Sequence, residues 1–195
     1  APFANAKQRI FMSATLGEGG DLERLTGRTR IQRLAIPEGW ERQGIGRRFF
    51  IFPEKSLEPS DALDLRHQLM RKAGRSLVLT PSQVDATDVE NDVTENLKFE
   101  VFTAAELETS KAGFTAAERA VAVVANRYDG IDFPDDDCRL LFVEGLPRAI
   151  NLQERFLMNR MGASLLFNER VQTRVMQAIG RCTRGLNDYS AVVVT

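Results

Sequence analysis

Short runs of β-branched and aromatic residues punctuate the chain at residues 9–15, 31–36, 48–52, 76–80, 99–102, 120–125, 139–143 and 191–194. Most are continuously apolar rather than alternating, as in Leu77-Val78-Leu79 and Ala120-Val121-Ala122-Val123-Val124. That pattern belongs to strands covered on both faces, as in parallel sheets. Helical stretches lie between the runs. Residues 60–73 are opened by Pro59 and Ser60 and closed by Gly74, a start and stop with the expected chemistry. Residues 81–95 carry Ser82 and Asp85 near their start, where an acid suits the positive end of a helix. Thr115 is placed to cap a short turn before the run at 120–125. Residues 146–164 and 168–184 complete the helices. The alternation predicts an α/β fold with a mostly parallel sheet and helices on both faces. Internal repeats and low-complexity tracts are absent from the sequence, and residues 42–46 read as a connecting segment.

Composition narrows this picture. A chain of 195 residues that is 43% hydrophobic and 27% charged can bury a core of its own. The two cysteines, Cys138 and Cys182, have no Cys-x-x-Cys spacing, and His67 is the single histidine. Neither a zinc nor an iron–sulfur site can be built from that set, so no metal ligand is assigned. No apolar run approaches the roughly 18 residues of a membrane span, and the first residues lack the apolar core of a signal peptide. The expectation is a soluble, reduced, intracellular domain, cytoplasmic in a bacterium, without a membrane partner.

Charge changes the picture more. Lys and Arg number 26 against 27 Asp and Glu, a net charge of −1, which excludes a histone-like basic protein. The balance is a cancellation. Residues 24–48 hold seven arginines and two glutamates, residues 85–118 nine acids and two lysines, and residues 151–184 six arginines and two glutamates. Such sectors can present a basic face to a polyanion in a neutral protein.

The sharpest feature lies in the last sector. On a helix, Arg170, Arg174, Gln177, Arg181 and Arg184 fall within a stripe about 80° wide, opposite Val171, Val175, Ala178, Ile179 and Cys182. No acid occurs between Glu169 and Asp188 to pair along the helix. Either an anion faces the stripe, for which bidentate guanidinium groups are suited, or acids elsewhere in the fold do.

These residues also carry a resemblance. Gln177-Ala-Ile-Gly180-Arg181-Cys-Thr-Arg184 resembles the Q-x-x-G-R-x-x-R motif VI of superfamily 2 helicases, and Asp188-Tyr189 with its valines is similar to the stretch that follows in the XPD/DinG-like branch. Tyr128-Asp129-Gly130-Ile131-Asp132-Phe133-Pro134 resembles motif V of that branch, Ser13-Ala14-Thr15 motif III, and Leu77–Ser82 the strand end of motif IV. Leu140–Pro147 looks like the strand and turn after motif V. The matches keep the family's order across nearly the whole chain.

The resemblance implies a motor of two RecA-like domains with ATP and Mg2+ between them, of which this chain is the second. The phosphate-binding G-x-x-x-x-G-K-[ST] string is absent, since Gly17-Glu-Gly-Gly20 has no following lysine. The first domain is thus an expected partner in the same polypeptide. Residues 1–30 would form the junction with it and residues 31–195 the RecA-like domain. A chain that opens onto one strand and stops inside another fits a piece of a longer polypeptide. By resemblance, Arg181 and Arg184 are arginine fingers for the γ-phosphate and Gln177 senses the phosphates. Gly130 and Asp132 of motif V touch nucleotide or relay its state, and Ser13 and Thr15 couple hydrolysis to movement. Thr80 and Ser82, with Arg127 and Tyr128, would hold single-stranded DNA or RNA. The function implied is that of an ATP-dependent DNA helicase or translocase. The alternatives are a non-catalytic RecA-like nucleic-acid-binding or scaffold module, and a small α/β enzyme for a phosphorylated metabolite. The arginine helix is expected at the carboxyl ends of the strands, where open α/β sheets bind ligands. Residues 9–15 should be frayed or paired at an edge. Asp129, Asp132, Asp135, Asp136 and Asp137 fail the spacing of a calcium loop and read as a polar loop. His67 reads as a surface residue and Trp40 as core.

Overall fold

The computed structural model describes residues 5–12, 21–35, 37–39, 46–126, 131–145, 174–183 and 185–195. The chain divides into two compact units, residues 1–41 and 42–195. In the first, helix α1 (Asp21–Thr26) is closed by the Thr26 hydroxyl donating to the Leu22 carbonyl at 2.7 Å. Arg33 pairs with both oxygens of Glu23. Residues 9–12 and 31–35 take no strand conformation, so of these two expected strands neither forms over its described part. Both are short, and their apolar side chains Ile10, Met12 and Leu34 are largely exposed.

The second unit is a six-stranded sheet in which every pairing is parallel. Its strands are β1 (Arg47–Ile51), β2 (Arg75–Thr80), β3 (Glu100–Thr103), β4 (Ala120–Ala125), β5 (Leu140–Val143) and β6 (Tyr189–Val194). Their order across the sheet is β1-β6-β5-β2-β4-β3. This is the α/β RecA-like architecture expected. The wholly apolar runs of β2, β4 and β5 are buried, whereas Arg47-Arg48-Phe49-Phe50-Ile51 and Glu100-Val101-Phe102-Thr103 form the edges. Strands covered on two faces need apolar side chains on both, and edge strands do not.

Parallel crossovers keep one hand, so the direction of each step along the sheet dictates its face. The steps β1 to β2 and β2 to β3 run one way. They carry α2 (Pro59–Ala73) and α3 (Gln83–Asp92), whose Met70, Ala86 and Val89 pack with Val78, Val121, Val123 and Phe142. The steps β3 to β4, β4 to β5 and β5 to β6 run the other way. Their connections put Leu107, Phe114, Ile131, Phe133, Ala178 and Ile179 on the opposite face, against Leu77, Leu79, Ala122 and Leu141. Two of these connections contain motifs V and VI, so topology alone places both motifs on one face.

Local chemistry sets the ends of the elements. Gly74 closes α2 at φ 75, where a Cβ would stand 2.7 Å from the Glu118 carbonyl oxygen, so only glycine fits. Ser82 caps α3 by accepting from the Asp85 amide at 3.2 Å. The helix continues as a π turn, Val93–Leu97. After β3 come α4 (Ala104–Thr109) and α5 (Ala112–Ala116). At the start of α4 the Thr103 amide and hydroxyl both donate to Glu106 Oε2, at 2.8 and 2.7 Å. Among the described residues no helix is long and apolar enough to cross a membrane.

Candidate functional site

The motif VI segment is helical over residues 174–179 and turns at Gly180. The Gly180 amide donates to the Gln177 carbonyl at 3.3 Å and the Arg181 amide to the Ala178 carbonyl at 3.0 Å. Cys182 and Thr183 are then buried. Burial of these two residues draws the chain toward the sheet, so the helix expected to reach residue 184 ends five residues earlier. Arg181 therefore stands on a turn rather than on a helical stripe.

That turn is fastened to motif V by side chain and backbone. Arg181 Nη1 donates to Asp132 Oδ1 at 2.7 Å, with the two side chains 12% and 24% exposed. One residue along, the Phe133 amide donates to the Arg181 carbonyl at 2.8 Å. Lys111 reaches over from before α5: its Nζ donates to the Asp132 carbonyl at 2.8 Å and lies 5.5 Å from the Phe133 ring centre. Phe133 is fully buried against Phe114, ring centres 4.6 Å apart, and Phe114 meets Phe102 edge-on at 5.8 Å. An aromatic anchor thus fixes an irregular segment, and the polar residues beside it hold the arginine turn. For Arg181 the acid that answers the stripe lies within the domain.

The turn sits at the amino ends of the strands. Arg48 Nε donates to Thr183 Oγ1 at 3.1 Å, and the Arg47 amide donates to the Asp188 carbonyl at 2.8 Å, both beside the first residues of β1 and β6. The expected carboxyl-end position is corrected for Arg181. A crossover helix between parallel strands runs back against them, so its last residues arrive where the next strand begins. Gly46 makes that approach possible at φ 68, since a Cβ there would lie 2.8 Å from the Asp188 carbonyl oxygen.

Asp188 is the buried hub of this end. Its side chain is 0% exposed and accepts from Arg139 Nη1 at 2.6 Å, the Tyr189 amide at 2.8 Å and the Asp135 amide at 3.2 Å. Arg139 also stacks on Tyr189 at 3.9 Å and bonds Asp136. The polar loop after motif V is thereby tied to the strand after motif VI. Cys138 and Cys182 meet beneath them. The hydrogen bond that the Cys182 thiol makes to Cys138, together with complete burial, pushes that thiol well above its ordinary pKa.

Thr80 and Ser82 lie at the other end of the sheet. Thr80 is fully buried with its hydroxyl donating to the Ser82 carbonyl, and the Ser82 hydroxyl donates to Asp85 Oδ2 at 2.6 Å. Gln177 is half-buried on the helix. Ser13, Thr15, Arg127, Tyr128, Gly130 and Arg184 lie outside the described residues, as do Trp40 and Asp129. The structure therefore brings together Arg181, Asp132 and the end of the Gln177 helix, and leaves Thr80 and Ser82 apart from them.

His67 is corrected from a surface residue to a buried one: its Nε2 lies 2.9 Å from Asp92 Oδ2. On that α2/α3 face Arg66 Nη1 also lies 2.7 Å from Glu144 Oε1, beside a cavity of about 480 Å3 lined by Leu63, Leu69, Phe142 and Val193. Burial raises the Glu144 carboxyl above its ordinary pKa despite Arg66. Sequence reasoning passed over Arg48, Lys111 and the central place of Asp188. Only Asp188 left a signal, through its position in the Asp-Tyr pair.

No curated protein matches the chain. A family model, the helicase C-terminal domain, matches residues 65–195. That stretch contains β2 to β6, the Asp132 segment and the Arg181 turn. The chain belongs to the helicase C-terminal domain family, of the XPD/DinG type that its motifs resemble.

Proposed function

We propose that this chain is the second motor domain of an ATP-dependent DNA helicase or translocase, completing an ATP site shared with a first RecA-like domain of the same polypeptide. The observation that carries the reading is the Arg181–Asp132 clamp, which joins the two motifs that would face nucleotide into one rigid feature. Arg184 and Arg181 would neutralise charge on the transferred phosphoryl group, a task suited to a permanently charged fork supplied from the facing domain. Gln177 would bond the phosphates, and Gly130 with Asp132 would relay their loss to the sheet. Ser13 and Thr15 would couple that change to domain movement.

The donor set suits a polyphosphate: the sequence places Arg181 and Arg184 three residues apart with no acid between Glu169 and Asp188, and the Asp132 partner of Arg181 lies in the motif that would relay nucleotide state. ATP supplies the anhydride whose cleavage drives movement. Mg2+ belongs to the acidic motif of the first domain. Among the described residues no group of three or more His, Cys, Asp or Glu is arranged to hold a metal. Single-stranded nucleic acid would cross the far edge near Thr80 and Ser82. Because both hydroxyls serve the turn, phosphate contact there falls to the amides opening α3. Arg127 and Tyr128 offer a cation and a stacking ring.

The same clamp favours a second reading, a non-catalytic RecA-like scaffold in which Asp132 merely satisfies Arg181. Turnover separates the two. The full-length protein is expected to hydrolyse ATP faster with single-stranded DNA, while residues 1–195 alone turn over nothing. A full-length protein without ATPase activity would support the scaffold. Robust turnover by the isolated chain would point to an enzyme of another class.

A further inference from the structure

We propose that Arg48 is a positioning residue for the arginine turn, a role that deepens the nucleotide-cleft reading and rests on it. Arg48 lies in β1, outside the residues 65–195 that carry the family signature. Its Nε donates to Thr183 Oγ1 at 3.1 Å, and Thr183 is 3% exposed. Its Nη2 would stand 3.7 Å from a Cβ placed on Gly180. The guanidinium therefore spans the turn from Gly180 to Thr183. Arg48 is itself fixed: it pairs in register with Ser190 of β6, and the neighbouring Arg47 amide holds the Asp188 carbonyl.

Two supports thus hold the turn from different directions. Asp132 and Phe133 hold Arg181 from the motif V side. Arg48 holds Thr183, the residue directly before Arg184, from the sheet edge. A buried hydroxyl that accepts from a charged donor is a strong, directional restraint. Misplacing a catalytic group by about 1 Å can cost on the order of a hundredfold in rate, so a restraint that fixes the turn carrying Arg181 is expected to show in turnover.

The test is steady-state ATP hydrolysis by the full-length protein at saturating single-stranded DNA. Arg48→Ala is expected to lower kcat about tenfold with KM for ATP changed less than about twofold. Thr183→Val should reproduce the loss, Thr183→Ser should restore turnover, and Arg48→Ala with Thr183→Val should be no worse than either alone. Undiminished kcat in Arg48→Ala, or additive losses in the double variant, overturns the proposal. Arg184→Ala separates the two levels: if it leaves hydrolysis intact, the cleft reading falls, whereas if it abolishes hydrolysis while Arg48→Ala does nothing, only the role of Arg48 falls. Amide exchange decides the matter without turnover. Arg48→Ala should speed exchange at Phe133, whose amide bonds the Arg181 carbonyl, by about tenfold, with Leu79 and Val193 unchanged. Equal acceleration throughout the sheet would mark general destabilisation and contradict the proposal.

Discussion

The two faces of the sheet are held by different means. The α2/α3 face is apolar contact between regular helices and strands, with Met70, Val78, Val93 and Phe142 fully buried or nearly so. Its ion pairs, Arg66 with Glu144 and His67 with Asp92, sit at the margin. The opposite face combines short helices, α4, α5 and residues 174–179, with an irregular segment after β4. There Phe133 anchors a segment whose backbone bonds reach outside it: Lys111 donates to the Asp132 carbonyl, the Phe133 amide to the Arg181 carbonyl and the Asp135 amide to Asp188, while Arg181–Asp132 and Arg139–Asp188 pair the side chains. The lesson is that the motif residues are structural partners of one another before they meet any ligand. A face built this way can respond when one partner is pulled, which a packed helix pair cannot do locally.

The comparison can be broken most severely at Asp188. Asp188→Ala leaves Arg139 and two amides without their acceptor, and should cost about 3–5 kcal/mol of stability in urea unfolding. A loss below about 1 kcal/mol would show that the hub is dispensable. Truncating the anchors of the two faces comes next. Phe133→Ala and Met70→Ala should each destabilise by about 2–5 kcal/mol. Only Phe133→Ala should also depress turnover of the full-length protein beyond what its unfolded fraction explains, and equal effects on turnover would erase the distinction between faces.

Much of the sheet was legible in the sequence, because a strand buried on two faces needs an apolar run, as in Leu77-Val78-Leu79 of β2 and throughout β4 and β5. The missed helix α4 was written as Thr103-Ala-Ala-Glu106, a capping pattern too short to show apolar periodicity. The end of the motif VI helix escaped because side-chain spacing continues smoothly through Gly180, while burial of Cys182 and Thr183 is a tertiary fact. Arg181 was legible through its motif. Its partner Asp132 was named for a different reason, and Arg48 had no pattern at all, since residues 135 apart meet only through the β1–β6 pairing.

A smaller effect separates structure from chemistry at the clamp. Asp132→Asn keeps the shape and removes the charge, so stability should fall by about 1 kcal/mol or less for this partly exposed pair. Turnover should fall more steeply than stability, and a change in melting with normal turnover would confine the pair to a structural role.

The smallest expected effect lies on the other face. Burial pushes the Asp92 pKa up, but hydrogen bonds from His67 and Asn96 outweigh it and hold the carboxyl below its ordinary value. A depressed folded-state pKa gives stability that is present above about pH 4 and lost as pH falls through the lowered value. Asp92→Asn should flatten that acid limb of the unfolding curve. Parallel acid limbs in the two proteins would show that the pair contributes nothing.

The central claim is that the arginine turn completes a nucleotide site. It is tested most directly by the single-strand-stimulated ATPase of the full-length protein carrying Arg184→Ala, with DNA affinity measured alongside. The account predicts turnover reduced by on the order of a thousandfold or more with DNA binding retained. Wild-type turnover in Arg184→Ala would contradict it.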